Sequence, residues 1–267
     1  MLENFAETAT KYLELSNDLR IDILFTLQRK KTRISEIANM YKITIQESMR
    51  NFKRLNDAGL ISKDEENYYD LTPLGHIACN HVPGFVFVTK NNDYFTYHNF
   101  GDLPSKFIQR FSSLLKCEKI NGMAKILDKW MSIYNNTSKE IFLISSDVIN
   151  KNFPKLIIDK VADGIEFNYI IDKSVINTVQ LDKPREKKIF KGFLLDGVLK
   201  RRIVEKIQFT LILSEKEGFV MFPTKDGKTD MREGFYGNDP EFLDWCKDYF
   251  QWCWNNSKKI SNKIFQE

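Results

Sequence analysis

The chain has 267 residues, enough for two compact units that each bury a core, and its 42% apolar and 28% charged content excludes a disordered or fibrous protein. A count of 40 Lys and Arg against 36 Asp and Glu gives a net charge of +4, which permits a nucleic-acid partner without requiring one. No apolar run approaches the roughly 18 residues of a membrane span, and Glu3 and Glu7 oppose a signal or transit peptide, so a cytoplasmic protein without a membrane partner is expected.

Residues 2–14 have good helix propensity, and a second helix from Asp18 to about Gln28 lines up Leu19, Ile23, Leu24 and Leu27 on one stripe. After the basic turn 29–33, Ser35 stands at an N-cap position, and Ile37, Ala38 and Tyr41 supply the apolar face of a short helix. Thr44-Ile45-Gln46-Glu47 has the Thr-x-x-Glu form of a capping box and opens the next helix. Along it Ile45, Met49, Phe52 and Leu55 are predicted to face inward, which turns Gln46, Glu47, Arg50, Asn51 and Arg54 outward. Gly59 ends that helix, and 60–62, a polar tip 63–67 and 68–72 read as a β-hairpin wing, closed by a short helix at 74–79. Three helices followed by a hairpin is the winged helix-turn-helix arrangement, whose third helix enters the major groove.

From Val82 the sequence changes to an aromatic, strand-like run at 84–100, followed after Pro104 by a helix carrying Phe107, Phe111, Leu114 and Leu115. A helix at 121–138 with Met123, Ile126, Leu127 and Trp130 inward leads to a buried strand at 140–149. A helix at 153–162 and a strand at 166–172 then complete a β-α-β unit that favours parallel pairing. Residues 198–205 read as an edge strand, 209–223 as a hairpin and 240–260 as an aromatic helix begun by Asp239-Pro240. Cys79, Cys117, Cys246 and Cys253 read as reduced thiols; Cys246 and Cys253 share a face of that helix too far apart to bond without unwinding it, so packing is the role expected of that pair. The expected fold class is α+β: a winged helix-turn-helix at 1–81, a helical connector at 82–138 and an α/β sensor or dimerisation domain at 139–267.

Residues 1–80 hold eleven basic and twelve acidic side chains, so a DNA-binding reading rests on where the charges lie. Arg29, Lys30, Lys31 and Arg33 cluster before the short helix, and Lys42, Arg50, Lys53 and Arg54 around the helix opened by Thr44, with Glu47 the one acid there. Arg50 and Arg54 suit guanine edges or phosphates, Gln46 and Asn51 suit adenine edges, and Ser35 and Thr44 stand at helix starts that favour phosphate. The bland alternative is a protein-binding or oligomerisation platform whose basic residues are a solvated face, a reading that the acidic tip Asp64-Glu65-Glu66 suits. Tyr94, Tyr97 and His98 are the candidate ligand-binding residues, although such clusters are more often core, as is expected of Trp245, Trp252 and Trp254. Phosphate-loop, dinucleotide and nucleophile-elbow motifs are absent, no Cys/His spacing suits a metal, and 144–153 lacks the glycines of a methyltransferase loop. No enzyme, cofactor or catalytic residue is expected.

With those residues in view, the chain resembles the archaeal winged-helix regulators of the methanogenesis-regulator family, related to sugar-responsive regulators with a phospholipase-D-like sensor domain. The resemblance is carried by 21–28, 34–61 and 68–75 for the winged helix and 94–114 for the connector, with 139–148 and 218–254 for the sensor domain. It implies a homodimer on double-stranded DNA, with third helices about 34 Å apart, modulated by a small-molecule effector. A phospholipase-D nuclease needs His-x-Lys, whereas His98 is followed by Asn99 and Phe100, so no catalysis is implied.

Overall fold

The computed structural model describes residues 5–146, 153–173 and 184–259. The chain divides into two compact units, Met1–Phe85 and Val86–Glu267, rather than into the three segments expected. The segment read as a connector supplies core residues and one strand to the second unit.

In the first unit, helices α1 (Phe5–Glu14), α2 (Asp18–Arg29), α3 (Ile34–Tyr41) and α4 (Ile45–Asp57) precede strands β1 (Ile61–Lys63) and β2 (Tyr69–Leu71). Helix α5 (Pro73–Lys90) follows and carries the division between the units. Ile23, Leu24, Leu27, Ile37, Phe52, Leu55 and Leu71 form the core with Cys79 of α5. The hairpin pairs Ile61 with Leu71 and Lys63 with Tyr69, and Thr32 adds a third extended segment by bonding through both backbone groups to Tyr69. This is the winged helix-turn-helix.

Three local readings need correction. Helix α3 begins at Ile34 with Arg33 as N-cap, so Ser35 lies in its first turn and caps nothing. The Thr32–Tyr69 bridge holds the chain extended as far as Arg33, and the Thr32 hydroxyl donates to the Glu36 carboxylate at 2.7 Å, which fixes the helix start earlier than predicted. Helix α5 has 18 residues with Pro83 inside it, so the strand predicted from Gly84 onward is helical. Tertiary packing overrides the β-propensity there: Phe87 meets Phe95, Phe111 and Phe235 edge-on at centroid separations of 5.9, 5.7 and 5.1 Å. Beyond α5, the run continues as α6 (Asn92–Phe95), and the single helix expected after Pro104 is split into α7 (Ser105–Ile108) and a 3-10 turn at Phe111–Leu114.

The second unit is built on one eight-stranded sheet. In chain order its elements are β3 (Glu118–Asn121), α8 (Met123–Asn136), β4 (Glu140–Ser145), α9 (Phe153–Ala162) and β5 (Glu166–Asp172). Then come α10 (Pro184–Leu195), β6 (Leu199–Val204), β7 (Thr210–Ser214), β8 (Gly218–Met221), β9 (Glu233–Gly237), α11 (Pro240–Asn255) and β10 (Lys258–Lys259). The spatial order is β10-β6-β5-β4-β7-β8-β9-β3, with β4, β5 and β6 parallel and every other pairing antiparallel. The predicted β-α-β unit and the hairpin around 215–217 are both present. Part of the strand predicted at 140–149 lies outside the described residues. Strand β6 is not an edge, because β10 pairs with it; β3 and β9 were not anticipated.

Period-two alternation divides the strands between two cores. Phe142, Ile144, Ile170, Leu211, Leu213, Val220 and Phe235 belong to one core with α11 and the aromatic residues of 87–114. Ile141, Leu143, Phe167, Tyr169, Ile171, Ile212, Phe219 and Met221 belong to the other, with residues of α8, α9 and α10. The sheet is thus covered on both faces. On α8, Ile126 and Trp130 are buried as expected, but Met123 is 54% exposed, and the stripe instead continues through Ile133 and Tyr134, about one turn beyond Trp130. Trp245 is fully buried and donates its indole N–H to the Phe107 carbonyl at 3.0 Å. Cys246 is buried and Cys253 half-buried, both as free thiols.

Candidate nucleic-acid interface

Helix α4 is held in place at both ends and along its buried face. The α3–α4 turn passes through Lys42 at φ 55, a left-handed position, while the Ile43 N–H closes on Ala38 O at 3.0 Å. Thr44 then caps α4 by accepting from the Glu47 N–H at 3.1 Å, the hydroxyl half of the predicted capping box. At the other end Gly59 takes φ 74, its N–H reaching Asn56 O and the Leu60 N–H reaching Leu55 O, a Schellman ending. Ser48 donates to Ile34 O at 3.0 Å, and Phe52 packs edge-on against Tyr69 with centroids 4.6 Å apart, so α3, α4 and the wing are pinned together.

The buried face of α4 is Ser48, Phe52 and Leu55, not the predicted set that included Ile45 and Met49. Ile45 is 58% exposed and Met49 53% exposed. At 100° per residue those two sit on the shoulder of the helix, some 60–100° from the buried centre, so the solvent face runs through Gln46, Met49, Arg50 and Lys53. Between this face and the wing lies an open groove of about 640 Å³ lined by Ile34, Gln46, Met49, Arg50, Lys53, Asn56, Lys63 and Tyr69. Three cations and two amides face it, and no carboxylate lines it.

The basic residues divide sharply by whether they are already engaged. Arg54 is clamped to Glu14 of α1 by two bonds, Nε to Oε2 at 2.8 Å and Nη2 to Oε1 at 2.9 Å, and the same carboxylate meets Arg20 at 3.1 Å. The Arg54 hydrogen bond holds the Glu14 carboxyl below its ordinary value, against an opposing push from burial and with help from Arg20. Asn51 donates to the Glu47 carbonyl at 3.0 Å, and Glu47, Asn51 and Arg54 do not line the groove. Lys31 lies 3.8 Å from Asp64 and 3.6 Å from Asp70, and Arg33 stacks over the Tyr68 ring at 4.1 Å while donating to Glu66 O. Both brace the wing. Arg50, Lys53, Lys30, Lys42 and Lys63 make no ion pair among the described residues and are exposed. Sequence reasoning missed Lys63, because it grouped that residue with the acidic tip; the strand register that sets it opposite Tyr69 is the signal that places it beside Lys53.

The ligand-binding trio does not converge. Tyr94 is 1% exposed, its hydroxyl accepting from the Phe222 N–H at 3.1 Å, and its ring stacks on His98 with centroids 3.7 Å apart. His98 lies between Tyr94 O at 2.8 Å and the Asp230 carboxylate at 3.0 Å. Burial pushes the Asp230 carboxyl upward, but hydrogen bonds from Arg232 and His98 outweigh it and leave it below the ordinary value. Tyr97 is 72% exposed. Tyr94 and His98 are therefore a satisfied polar cluster in the core, while Tyr97 stands apart on the surface.

The sequence profile for the middle domain of the methanogenesis regulatory protein FilR1 matches residues 105–256. The chain belongs to that family. The resemblance read from the sequence to regulators of this kind is borne out, and the FilR1 middle-domain region takes in every strand of the large sheet except β10. Among curated proteins none matches the chain. Among solved structures, the chain is similar to TrmBL2, an archaeal chromatin protein, at 14% identity, 91% coverage of this chain, 94% of that one and a TM-score of 0.45. It is also similar to NucT from Helicobacter pylori, at 12% identity, 54% and 99% coverage and a TM-score of 0.40. Nuc from Salmonella typhimurium, a phospholipase D family member, matches at 12% identity, 55% and 100% coverage and a TM-score of 0.36. Tyr94, Tyr97 and His98 all precede the FilR1 middle-domain match. Among the described residues no cluster of His, Cys, Asp and Glu suits a metal ion, and no helix is long and apolar enough to cross a membrane.

Proposed function

We propose that this protein is a sequence-specific, double-stranded-DNA-binding transcriptional regulator that works as a homodimer and is modulated by a small molecule bound in its second unit. The observation that carries the reading is the open groove between α4 and the wing. Gln46, Arg50, Lys53 and Lys63 face it with no carboxylate in its lining. Arg50 is the guanine or phosphate reader, Gln46 and Asn56 offer amides to adenine edges, and exposed Met49 and Ile45 suit thymine methyl groups. Lys30, Lys42, Lys53 and Lys63 grip phosphates, and Thr44 marks the helix start. Membership of a family named for a methanogenesis regulatory protein points the same way.

The test is selection of bound sequences from a random duplex pool by the full chain, with an Arg50→Ala/Lys53→Ala protein as control and salt varied. Enrichment of a motif with two half-sites, lost in the control, supports a dimeric regulator. Equal behaviour of the two proteins removes the reading and favours a protein-interaction platform, for which the exposed carboxylates of Asp64, Glu65 and Glu66 would supply the docking surface.

A further inference from the structure

A second cavity, of about 190 Å³, lies wholly within the second unit at the carboxyl ends of the parallel strands β4, β5 and β6. Ile144, Ile170 and Val204 from those ends form its floor, and Phe209, Tyr249 and Trp252 form an aromatic wall. Carboxyl ends of parallel strands are where open α/β sheets hold ligands, because side chains and loops diverge there while the strands stay rigid. The polar lining comes from three places: Asp102 from one loop, Lys206 and Gln208 from another, and Cys253 and Asn256 from the end of α11.

At its rim stand two solvent-exposed charges of opposite sign. Asp102 and Lys206 both line it, and neither forms an ion pair among the described residues. The loop that carries Asp102 is docked closely, with Gly101 at φ 56 set against Gln208 and Pro223. Burial above all, helped by the Asp102 charge, pushes the Cys253 thiol up to about 12, so the wall beside Asp102 stays neutral. A cavity of about 150 Å³ accepts a benzene-sized molecule, so this one takes roughly six to ten non-hydrogen atoms. An apolar floor with a cation and an anion that lack ion-pair partners among the described residues is the complement of a small zwitterion.

We propose that this cavity is the effector site, and that it binds a free α-amino acid with an aliphatic side chain. Lys206 meets the carboxylate, Asp102 meets the ammonium, and the side chain lies on Ile144, Ile170 and Trp252. The proposal rests on the reading of a modulated regulator only for its consequence; binding itself is independent of DNA.

The test is therefore calorimetric titration of the DNA-free full chain with leucine, isoleucine, valine, methionine and alanine up to about 5 mM, where even weak binding registers. Tryptophan emission, to which Trp252 of the cavity wall contributes, gives a second signal. The expected result is binding of at least one of the five, weakened about tenfold or more when the ligand is N-acetylated or amidated and in Lys206→Met and Asp102→Asn proteins. The ligand derivatives need no variant, so a misfolded variant does not obscure the answer. Absence of binding by all five overturns the proposal, as does binding indifferent to both substitutions or matched by the corresponding carboxylic acid without its amine. Retained DNA selection with no amino-acid binding removes the site and leaves the regulator; the reverse leaves the site and removes the regulator.

Discussion

Arg50 and Lys53 present their charges to the groove without an ion-pair partner among the described residues, so on the proposed reading they are free to displace counterions from a phosphate backbone. Replacing either by alanine should reduce the slope of log K against log salt by about one for each phosphate no longer neutralised, read from fluorescence anisotropy at several salt concentrations. Thermal stability should stay unchanged in both proteins. Arg54 is different, because its guanidinium is already committed to Glu14. Arg54→Ala should lower the thermal midpoint more than Arg50→Ala does. The sign of its pH dependence follows from Glu14, whose carboxyl is held below the ordinary 4.5 in the folded chain. Stability gained this way is present above about 4.5 and is lost as pH falls through the lower, folded value. The difference in midpoint between parent and Arg54→Ala should thus be full at pH 7 and shrink in acid, as scanning calorimetry from pH 7 to pH 3 would record. A gap that persists at pH 3 would mean that Arg54 stabilises through packing rather than through charge.

At the scale of elements, two of the turns that carry positive φ bear on the proposed sites. Lys42 occupies the left-handed region at φ 55 between α3 and α4, at a cost of about 1–2 kcal/mol for a non-glycine residue. Lys42→Gly removes that strain but loosens the unfolded chain by about 0.5–1 kcal/mol, so its stability should equal or slightly exceed the parent's. Lys42→Val, branched at Cβ, should be less stable by about 1 kcal/mol or more in denaturant unfolding. Equal stability of the two variants would show that the turn relaxes. The second turn is at Gly101, where an added Cβ would come within 2.8 Å of Gln208 Oε1 and 2.9 Å of Pro223 Cγ, at a φ of 56. Gly101→Ala is expected to cost about 1–3 kcal/mol in unfolding experiments. It should also weaken any ligand that depends on Asp102, because the same loop sets that carboxylate.

Over the whole molecule, the elements that declared themselves in the sequence were those whose burial is set by local periodicity. The α4 cap at Thr44, its ending at Gly59, the β7–β8 hairpin and the Asp239-Pro240 start of α11 all carry short-range signals, and all are present. The strands β3 and β9 carry none: four or five residues with charges or glycines become strands only because the far edge of a large sheet is offered to them. The aromatic run from Gly84 to Phe100 failed for the opposite reason, since its β-propensity is strong and is overruled by the packing of Phe87, Tyr94 and Phe95 against Phe222 and Phe235. At the candidate interface, the sequence reading placed the exposed face of α4 too far round the helix. Ser48, a polar residue, is buried because it bonds back to Ile34, and an apolar count cannot see that. Engagement was equally hidden: nothing at position 54 announces a carboxylate 40 residues earlier.

Among the described residues the sheet ends on one side at β10, a strand of two residues that are both lysines, laid against Arg202 and Ile203 of β6. An edge of backbone donors and acceptors invites another chain to add a strand, and β6, with Leu199, Ile203 and Val204, would be a receptive template. Two adjacent ammonium groups make each copy repel the next at that rim. On this argument Lys258→Val/Lys259→Val should turn the rim adhesive, with light scattering that grows with time and concentration where the parent's stays constant. Equal scattering by both proteins would locate that protection elsewhere.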